Sequence, residues 1–310
     1  MKVQETALVP GTLWSTIQHR TQVALANHAV QPIATRQLTL AEGGVDFLVR
    51  KISSFAQKHD DQIALESKPK ASSNNPFLPY EPDLYVGEVA PYHRCLLNKY
   101  NVIENHVLVV TRDFEHQENL LSEQDFAAWF SCLREFNSLG FYNAGKVAGA
   151  SQTHKHMQLI PLPLSKQGVE FPFVSVLRTA KPQSLHPGQD DQVLQCELPF
   201  QHAVIALDTR RLQDAASAAS YLCKCYHRLL STVGIEGVPV DGDIRQSAPY
   251  NFLISKQWMW LVPRSREYYQ GISVNSLGFA GSLFVRDSAQ LELVRQAGPM
   301  AILRFVACDS

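Results

Sequence analysis

The sequence predicts an α+β fold, a mostly antiparallel sheet flanked by helices, with the C-terminal half of the chain elaborating the core. Three observations predict it. Short β-rich runs follow one another at 84–89, 94–97 and 106–111, the last being HVLVVT, and read as a meander of antiparallel strands. Ser122-Glu-Gln-Asp125 then opens a helix in the manner of a capping box, and Phe126, Trp129, Phe130, Leu133 and Phe136 repeat at the helical period. Finally, the second half repeats strand and helix grammar loosely, without the alternation of a parallel βαβ sheet, so the two halves form either two similar lobes or one extended sheet.

Taken in order, residues 12–28 read as an amphipathic opening helix and 45–50 (VDFLVR) as a first strand. Residues 67–82 carry Pro69, Ser72, Ser73, Asn74, Asn75, Pro76, Pro79 and Pro82, a composition that excludes regular structure and marks a long loop or lid. After the meander and the capping-box helix, which Gly140 should end, 149–153 leads into the alternating strand 154–160, bounded by Pro161 and Pro163. In the second half 202–207 reads as a strand, 211–232 as a helix, 250–255 and 259–262 as strands, and 288–306 as helical. The division expected is a catalytic region over 1–165 and a second region over 166–310 that completes the same fold.

Composition excludes several function classes. Lys and Arg number 28 against 29 Asp and Glu, so no overall field favours nucleic acid or an anionic membrane, and phosphate recognition must be local. No 18-residue apolar window occurs and the N-terminus lacks an apolar h-region, so the expectation is a soluble protein without a cleaved signal. The six cysteines form no CxxC pair, which implies reduced thiols and a cytoplasmic setting. Cys223 and Cys225 fall in a helical run, where positions two apart do not share a face, so they read as packing or surface thiols.

Chemistry concentrates in the strand His154-Lys155-His156-Met157-Gln158. Side chains two apart share one face of a strand at roughly 6.5–7 Å spacing, so His154, His156 and Gln158 line up while Lys155, Met157 and Leu159 face the other way. That arrangement suits covalent nucleotidyl transfer. One imidazole nitrogen attacks an α-phosphorus, a neighbouring imidazole or carbonyl fixes its tautomer, and Gln158 holds phosphoryl oxygens without offering a proton to the leaving group. Upstream, the small residues Gly149, Ala150 and Ser151 would let backbone N–H groups approach a phosphate as an anion nest. A zinc reading needs third and fourth ligands, and Gln is a poor one. Elsewhere, Lys256, Arg264 and Arg266 offer phosphate clamps at a strand end. His93, His106 and His116 read as polar groups of loops and strands, and Trp258 and Trp260 as core.

The blocks NPFLPYEPDL, LLNKYNVIENHVLVVTRDFEHQ, FYNAGKVAGASQTHKHMQLIPLP, YNFLISKQWMWLVPRSRE and VNSLGFAGSLFV, in that order over most of 67–285, closely resemble the diadenosine tetraphosphate phosphorylases (ATP adenylyltransferases) of the histidine-triad superfamily. The resemblance implies a histidine-triad-like fold and the reversible phosphorolysis of diadenosine tetraphosphate to ADP and ATP. His156 stands at the family's nucleophile, with His154 beside it, and Gln158 at the glutamine that binds the transferred phosphate. The resemblance further implies Lys68 as a substrate-binding lysine near the lid, Leu97 and Asn98 as the adenosine pocket, and Asn143 before the phosphate loop of Gly149, Ala150, Ser151 and Gln152. In the second half the resemblance puts the residues that face substrate in relatives at Asn275, Ser276, Leu277 and Ser282, with Arg286 where relatives can carry Lys. The implied partners are diadenosine tetraphosphate, ATP, ADP and phosphate, with Mg²⁺ accompanying the polyphosphate and no tightly bound structural metal. Two rival readings are a hexose-1-phosphate uridylyltransferase-like enzyme, against which the lack of a Cys/His zinc cluster counts, and a catalytically silent nucleotide-binding protein, against which His156 and Gln158 together count.

Overall fold

A computed structural model describes residues 7–53, 75–165, 169–182 and 192–309. Helix α1 (Leu13–Ala26) buries Leu13, Ile17, Thr21 and Ala24, a stripe at helical spacing. The hairpin β1 (Thr35–Glu42) and β2 (Val45–Ile52) turns on Gly43 and Gly44, both at positive φ. The first half then runs β3 (Tyr85–Ala90), β4 (His93–Leu97), β5 (Val107–Thr111), α2 (Glu123–Leu133), β6 (Ser138–Ala144) and β7 (His156–Pro161). The second half adds α3 (Val174–Arg178), β8 (Lys181–Pro182), β9 (Val193–Gln195), β10 (Ala203–Ala206) and α4 (Ala215–Thr232). It continues with β11 (Gly237–Val240), β12 (Asp243–Gln246), β13 (Tyr250–Ile254) and β14 (Trp258–Pro263). Last come β15 (Tyr268–Tyr269), β16 (Ile272–Ser273), β17 (Ser282–Val285), α5 (Ser288–Ala297) and α6 (Pro299–Val306).

The fold is α+β, and the alternative of one sheet extended by the second half is the one adopted. Ten strands form a single antiparallel sheet in the order β3-β4-β5-β7-β6-β13-β14-β10-β9-β8. Its central joint pairs β6 with β13, from Ala144 opposite Tyr250 to Gly140 opposite Ile254. Alternate residues of these strands feed two cores. Tyr142, Met157, Leu159 and Phe252 pack on the side of α1, α2 and α4. Phe141, Ile160, Leu253 and Trp260 pack on the other side, beneath β2, β17 and α6. The three-stranded sheet β1-β2-β17 closes that second face, with β17 running parallel to β2.

Several boundaries differ from the sequence reading. Gly140 does not end the helix. It lies inside β6, where an added Cβ would stand 2.7 Å from Ile254 and 2.9 Å from the Trp129 ring, so glycine is what lets Trp129 lie on the sheet. The helix read over 288–306 is two helices, broken where Gly298 takes φ 82° and Pro299 restarts the next turn. The Ser122–Asp125 capping box is present as expected, with both reciprocal bonds formed. Trp260 stacks on Phe171 with centroids 5.3 Å apart, a core contact. Among the described residues no helix is long and apolar enough to cross a membrane.

Candidate active site

Strand β7 and the turn before it carry the reactive side chains because their alternation sends His156 and Gln158 to one face and Met157 to the helix-covered core. His156 and Gln158 form part of the wall of a cavity of about 870 Å³, together with Phe77, Leu97, Asn98, Phe141 and Asn143. That volume is ample for a nucleotide. The His156 Nδ1–H donates to the carbonyl of His154 at 2.8 Å, which assigns the tautomer and leaves Nε2 as the basic nitrogen. Burial pushes the His156 imidazole down to about 4, against a smaller opposing effect of the His154 carbonyl, so it is neutral at pH 7. An uncharged imidazole with one free lone pair is a nucleophile.

His154 plays a different part. Its Nε2 donates to the Thr111 carbonyl at 2.9 Å and its Nδ1 accepts from Asn75 Nδ2 at 2.8 Å, so both nitrogens are engaged. Its ring does not line the cavity, and it meets Phe77 edge-on with centroids 5.5 Å apart. Of the two means expected to fix the His156 tautomer, the structure uses the main-chain carbonyl of His154 rather than its imidazole.

Gln158 is oriented by His106. The Asn98 amide donates to His106 Nδ1 at 3.0 Å, so the proton of His106 sits on Nε2 and donates to Gln158 Oε1 at 3.0 Å. With its oxygen occupied, the Gln158 amide turns its N–H groups to the cavity, the polarity needed to bind phosphoryl oxygens. Burial lowers the His106 pKa to about 4, which keeps this relay neutral. Sequence reasoning had set His106 aside as a strand polar group. The signal that could have found it is its place at the head of β5, directly after the Asn98 segment.

Asn143 is held in the same way. Its Oδ1 accepts from Asn251 Nδ2 at 3.0 Å, from the Ser276 N–H at 2.9 Å and from Ser276 Oγ at 2.7 Å. The Asn251 Nδ2 also donates to Ala148 O, while Asn251 Oδ1 accepts from Arg264 Nη1. Arg264, expected as a phosphate clamp, is instead 2% exposed and donates to Val306 O and Arg266 O. Burial lowers its pKa to about 9. The buried polar relay therefore ties the second half of the chain to the loop that follows β6.

That loop takes its shape from Gly145 and Gly149, both at φ 90°. At Gly149 a Cβ would lie 2.9 Å from Asn275 Cβ, so the position demands glycine twice over, for conformation and for space. Two of the three N–H groups expected as an anion nest, over Gly149, Ala150 and Ser151, are already engaged. Those of Gly149 and Ala150 donate inside the loop, to Lys146 O and Gly145 O, while Gly149, Ser151 and Gln152 line the cavity.

On the opposite face, Lys155 is buried and bonds Asp125 Oδ2 and Glu115 Oε2, each at 2.8 Å. Asp125 also takes the Ser122 N–H at 2.7 Å and pairs with His93 Nε2 at 2.8 Å. Although burial alone would raise it, the His93 hydrogen bond and the Lys155 charge hold its carboxyl far below the usual range. His93 is thus a structural partner, consistent with its reading from sequence.

The structure places the remaining expected residues as follows. Leu97, Asn98, Asn143, Gly149, Ser151, Gln152, Asn275 and Leu277 line the cavity with His156 and Gln158. Ala150 does not reach the wall, and Ser276 and Ser282 are fully buried behind it. Arg286 is exposed, and its main-chain N–H donates to Gln290 Oε1. Lys68 and the first half of the loop expected over 67–82 lie outside the described residues. Among the described residues no three His, Cys, Asp or Glu side chains converge as a metal site.

Known proteins resemble the chain along most of its length. Residues 3–179 match the family model of the Ap4A phosphorylase N-terminal domain, and 196–309 that of the ATP adenylyltransferase C-terminal domain. The chain is 29% identical over 260 residues to diadenosine 5',5'''-P1,P4-tetraphosphate phosphorylase 2 of Saccharomyces cerevisiae, covering 74% of this chain and 76% of that one. It is also 22% identical over 293 residues to Protein APA1 of the same organism, covering 90% and 88%. The fold superposes on the crystal structure of yeast Ap4A phosphorylase Apa2 with TM-score 0.74 at 24% identity, over 99% of this chain and 95% of that chain. On the Apa2 complex with Ap4A the TM-score is 0.73 at 22% identity, over 99% and 98%. A family match across more than half of the chain, continued by a second over nearly all of its remainder, establishes that the chain belongs to the Ap4A phosphorylase and ATP adenylyltransferase family, a family of nucleotidyltransferases.

Proposed function

We propose that the protein catalyses the reversible phosphorolysis of diadenosine tetraphosphate to ADP and ATP, through an adenylate carried on His156. The observation that carries this reading is the His156 imidazole. It is neutral, its Nδ1–H is committed to the His154 carbonyl, and it stands on the cavity wall beside a glutamine whose amide oxygen is already occupied. In the first step Nε2 attacks the α-phosphorus of one adenosine, the bond to the bridging oxygen breaks, and ATP leaves. The positive charge that develops on the ring is met by the His154 carbonyl at Nδ1. In the second step an oxygen of inorganic phosphate attacks the same phosphorus, His156 Nε2 leaves, and ADP forms.

The Gln158 and Asn143 amides supply neutral donors to the α-phosphoryl oxygens in both steps. Neither can hand a proton to water, so the intermediate waits for phosphate, a nucleophile already anionic. The apolar walls Leu97, Val102 and Ile103 suit the reacting adenosine, and Asn275 and Leu277 suit the far end of the polyphosphate. Lys68 belongs to the proposed set as a substrate-binding lysine, and His154, Ala150, Ser276, Ser282 and Arg286 as supports or outer contacts. Mg²⁺ fits as a companion of the substrate. Phosphate oxygens and water would be its ligands, and it would neutralise polyphosphate charge.

The test is incubation with diadenosine tetraphosphate, with and without phosphate, and separation of the nucleotides. The expected result is ADP plus ATP only with phosphate, and loss of at least 10³-fold in kcat for His156→Ala with nucleotide binding kept. A His156→Ala variant retaining a tenth of the parent rate would overturn the covalent route.

A further inference from the structure

We infer that Gln117 is a positioning residue for the nucleophile, its side-chain amide standing in for a missing section of the sheet beside His156. The inference rests on the function proposed above. Strands β6 and β7 pair from Ser138 opposite Pro161 to Phe141 opposite Gln158, and there the ladder stops. Continued in the same register, Asn143 would face His156, the two residues on which the proposed chemistry depends. The strands have parted at that point, and Gln117 fills the gap. Its Oε1 accepts the His156 N–H at 2.8 Å and its Nε2 donates to the Asn143 carbonyl at 2.9 Å. A primary amide has the donor and acceptor of a peptide unit, so the insertion leaves both strand ends satisfied where a direct bond would have drawn them together.

Gln117 is itself fixed on every side. It is 1% exposed and lies in the connection between β5 and α2. Its N–H donates to Thr153 O at 2.7 Å, and its carbonyl accepts from the Tyr142 hydroxyl. An amide anchored at both main-chain atoms is a rigid spacer. It holds β6 and β7 apart by the width of one amide, and so sets the distance between the His156 ring and the Asn143 amide across the α-phosphate. Its reach is one-sided, because Gln117 does not line the cavity. The inference therefore assigns it to the placement of His156 and not to substrate binding.

Two variants test this. Gln117→Met keeps the length and removes all three side-chain bonds, including the long one from Nε2 to the His156 carbonyl at 3.4 Å. Gln117→Glu keeps the shape and the acceptor for the His156 N–H but turns an oxygen toward the Asn143 carbonyl. Misplacing a reacting group by about 1 Å costs on the order of 10²-fold. Gln117→Met is therefore expected to lower kcat for phosphorolysis at least thirtyfold while KM and the dissociation constant of AMP stay within threefold. Gln117→Glu should fall between the two. Independently of any substrate, the amide resonance of His156 in a ¹H–¹⁵N spectrum should move upfield in Gln117→Met and hold its place in Gln117→Glu. A kcat within threefold of the parent, an AMP affinity that falls in step with kcat, an unmoved His156 resonance, or loss of cooperative unfolding in both variants would overturn the inference. Should the parent fail to cleave diadenosine tetraphosphate, the proposed function falls, while the His156 resonance still decides the role of Gln117.

Discussion

Replacing Lys155, the residue just ahead of β7, by methionine separates what the cavity side and the helix-covered side of this segment do. The ammonium is 2% exposed at its side chain and loses two carboxylate partners at 2.8 Å, of which Asp125 is 1% exposed and Glu115 42% exposed. Removing one member of a buried pair costs about 3–5 kcal/mol, because the other charge is left uncompensated. Asp125 keeps the Ser122 N–H, the Ser122 hydroxyl and His93, which places its share at the low end, about 3 kcal/mol. The exposed Glu115 contributes at most about 1 kcal/mol more. The expected loss is thus about 3–4 kcal/mol, measured by guanidinium denaturation. Because Lys155 faces away from the cavity, kcat of the folded variant at 15 °C should stay within threefold. Adding Asp125→Asn to Lys155→Met should recover at least about 1 kcal/mol, since the orphaned charge is then gone. A stability loss below about 1 kcal/mol, or a collapse of kcat in a fully folded variant, would refute the division of labour between the faces.

Other expectations follow from the same geometry. His106 and His156 both titrate near 4 when folded, against about 6.5 when unfolded, so the unfolded chain binds more protons between these values. The stability contributed by each neutral imidazole is complete above pH 6.5 and is lost as pH falls toward 4, by roughly 3 kcal/mol apiece. Denaturation at pH 7 and 5 measures this, and a stability that does not fall with pH in that window would contradict it. Activity should accordingly be flat from pH 8 to 6.5 with no limb from His156, which steady-state rates will show. Gln158→His is expected to lose phosphorolysis by at least 10²-fold and to release AMP slowly, because an imidazole can assist water where an amide cannot; product chromatography reads both. Gly149→Ala puts a Cβ 2.9 Å from Asn275 Cβ at φ 90°, so KM for the dinucleotide should rise at least tenfold, and an unchanged KM would show the loop adapts.

Much of the site was legible in the chain. Period-two alternation placed His156 and Gln158 on one side of β7 and Met157 on the other, because a strand leaves no freedom in that assignment. The capping box at Ser122 declared its helix for a similar local reason. What could not be read were the partners brought from afar. His106 orients Gln158 from 52 positions away, Gln117 meets His156 from 39, and Arg264 ends on Val306 from 42. No local period encodes such pairings. Gly140 misled for a related reason, since a glycine after a helical run usually stops the helix, yet here the Trp129 ring demands it within a strand. Arg264 misled by charge, because its guanidinium is consumed by carbonyls rather than offered to phosphate.

The path of the chain through the sheet also bears on how the molecule is made. The central joint sets β6 against β13, more than a hundred positions downstream, and β2 is flanked by β17, later still. While the ribosome is still translating the middle of the chain, the strand bearing Asn143 has no neighbour on one side and β2 lacks its parallel partner. The segment holding His156 is complete early, but the relay that steadies Asn143 needs Asn251 and Ser276, and Arg264 needs the carbonyl of Val306. A nascent chain that has passed His156 therefore still lacks the partners that steady Asn143 and Arg264, and the site stays incomplete until residues as far along as Val306 have folded against it.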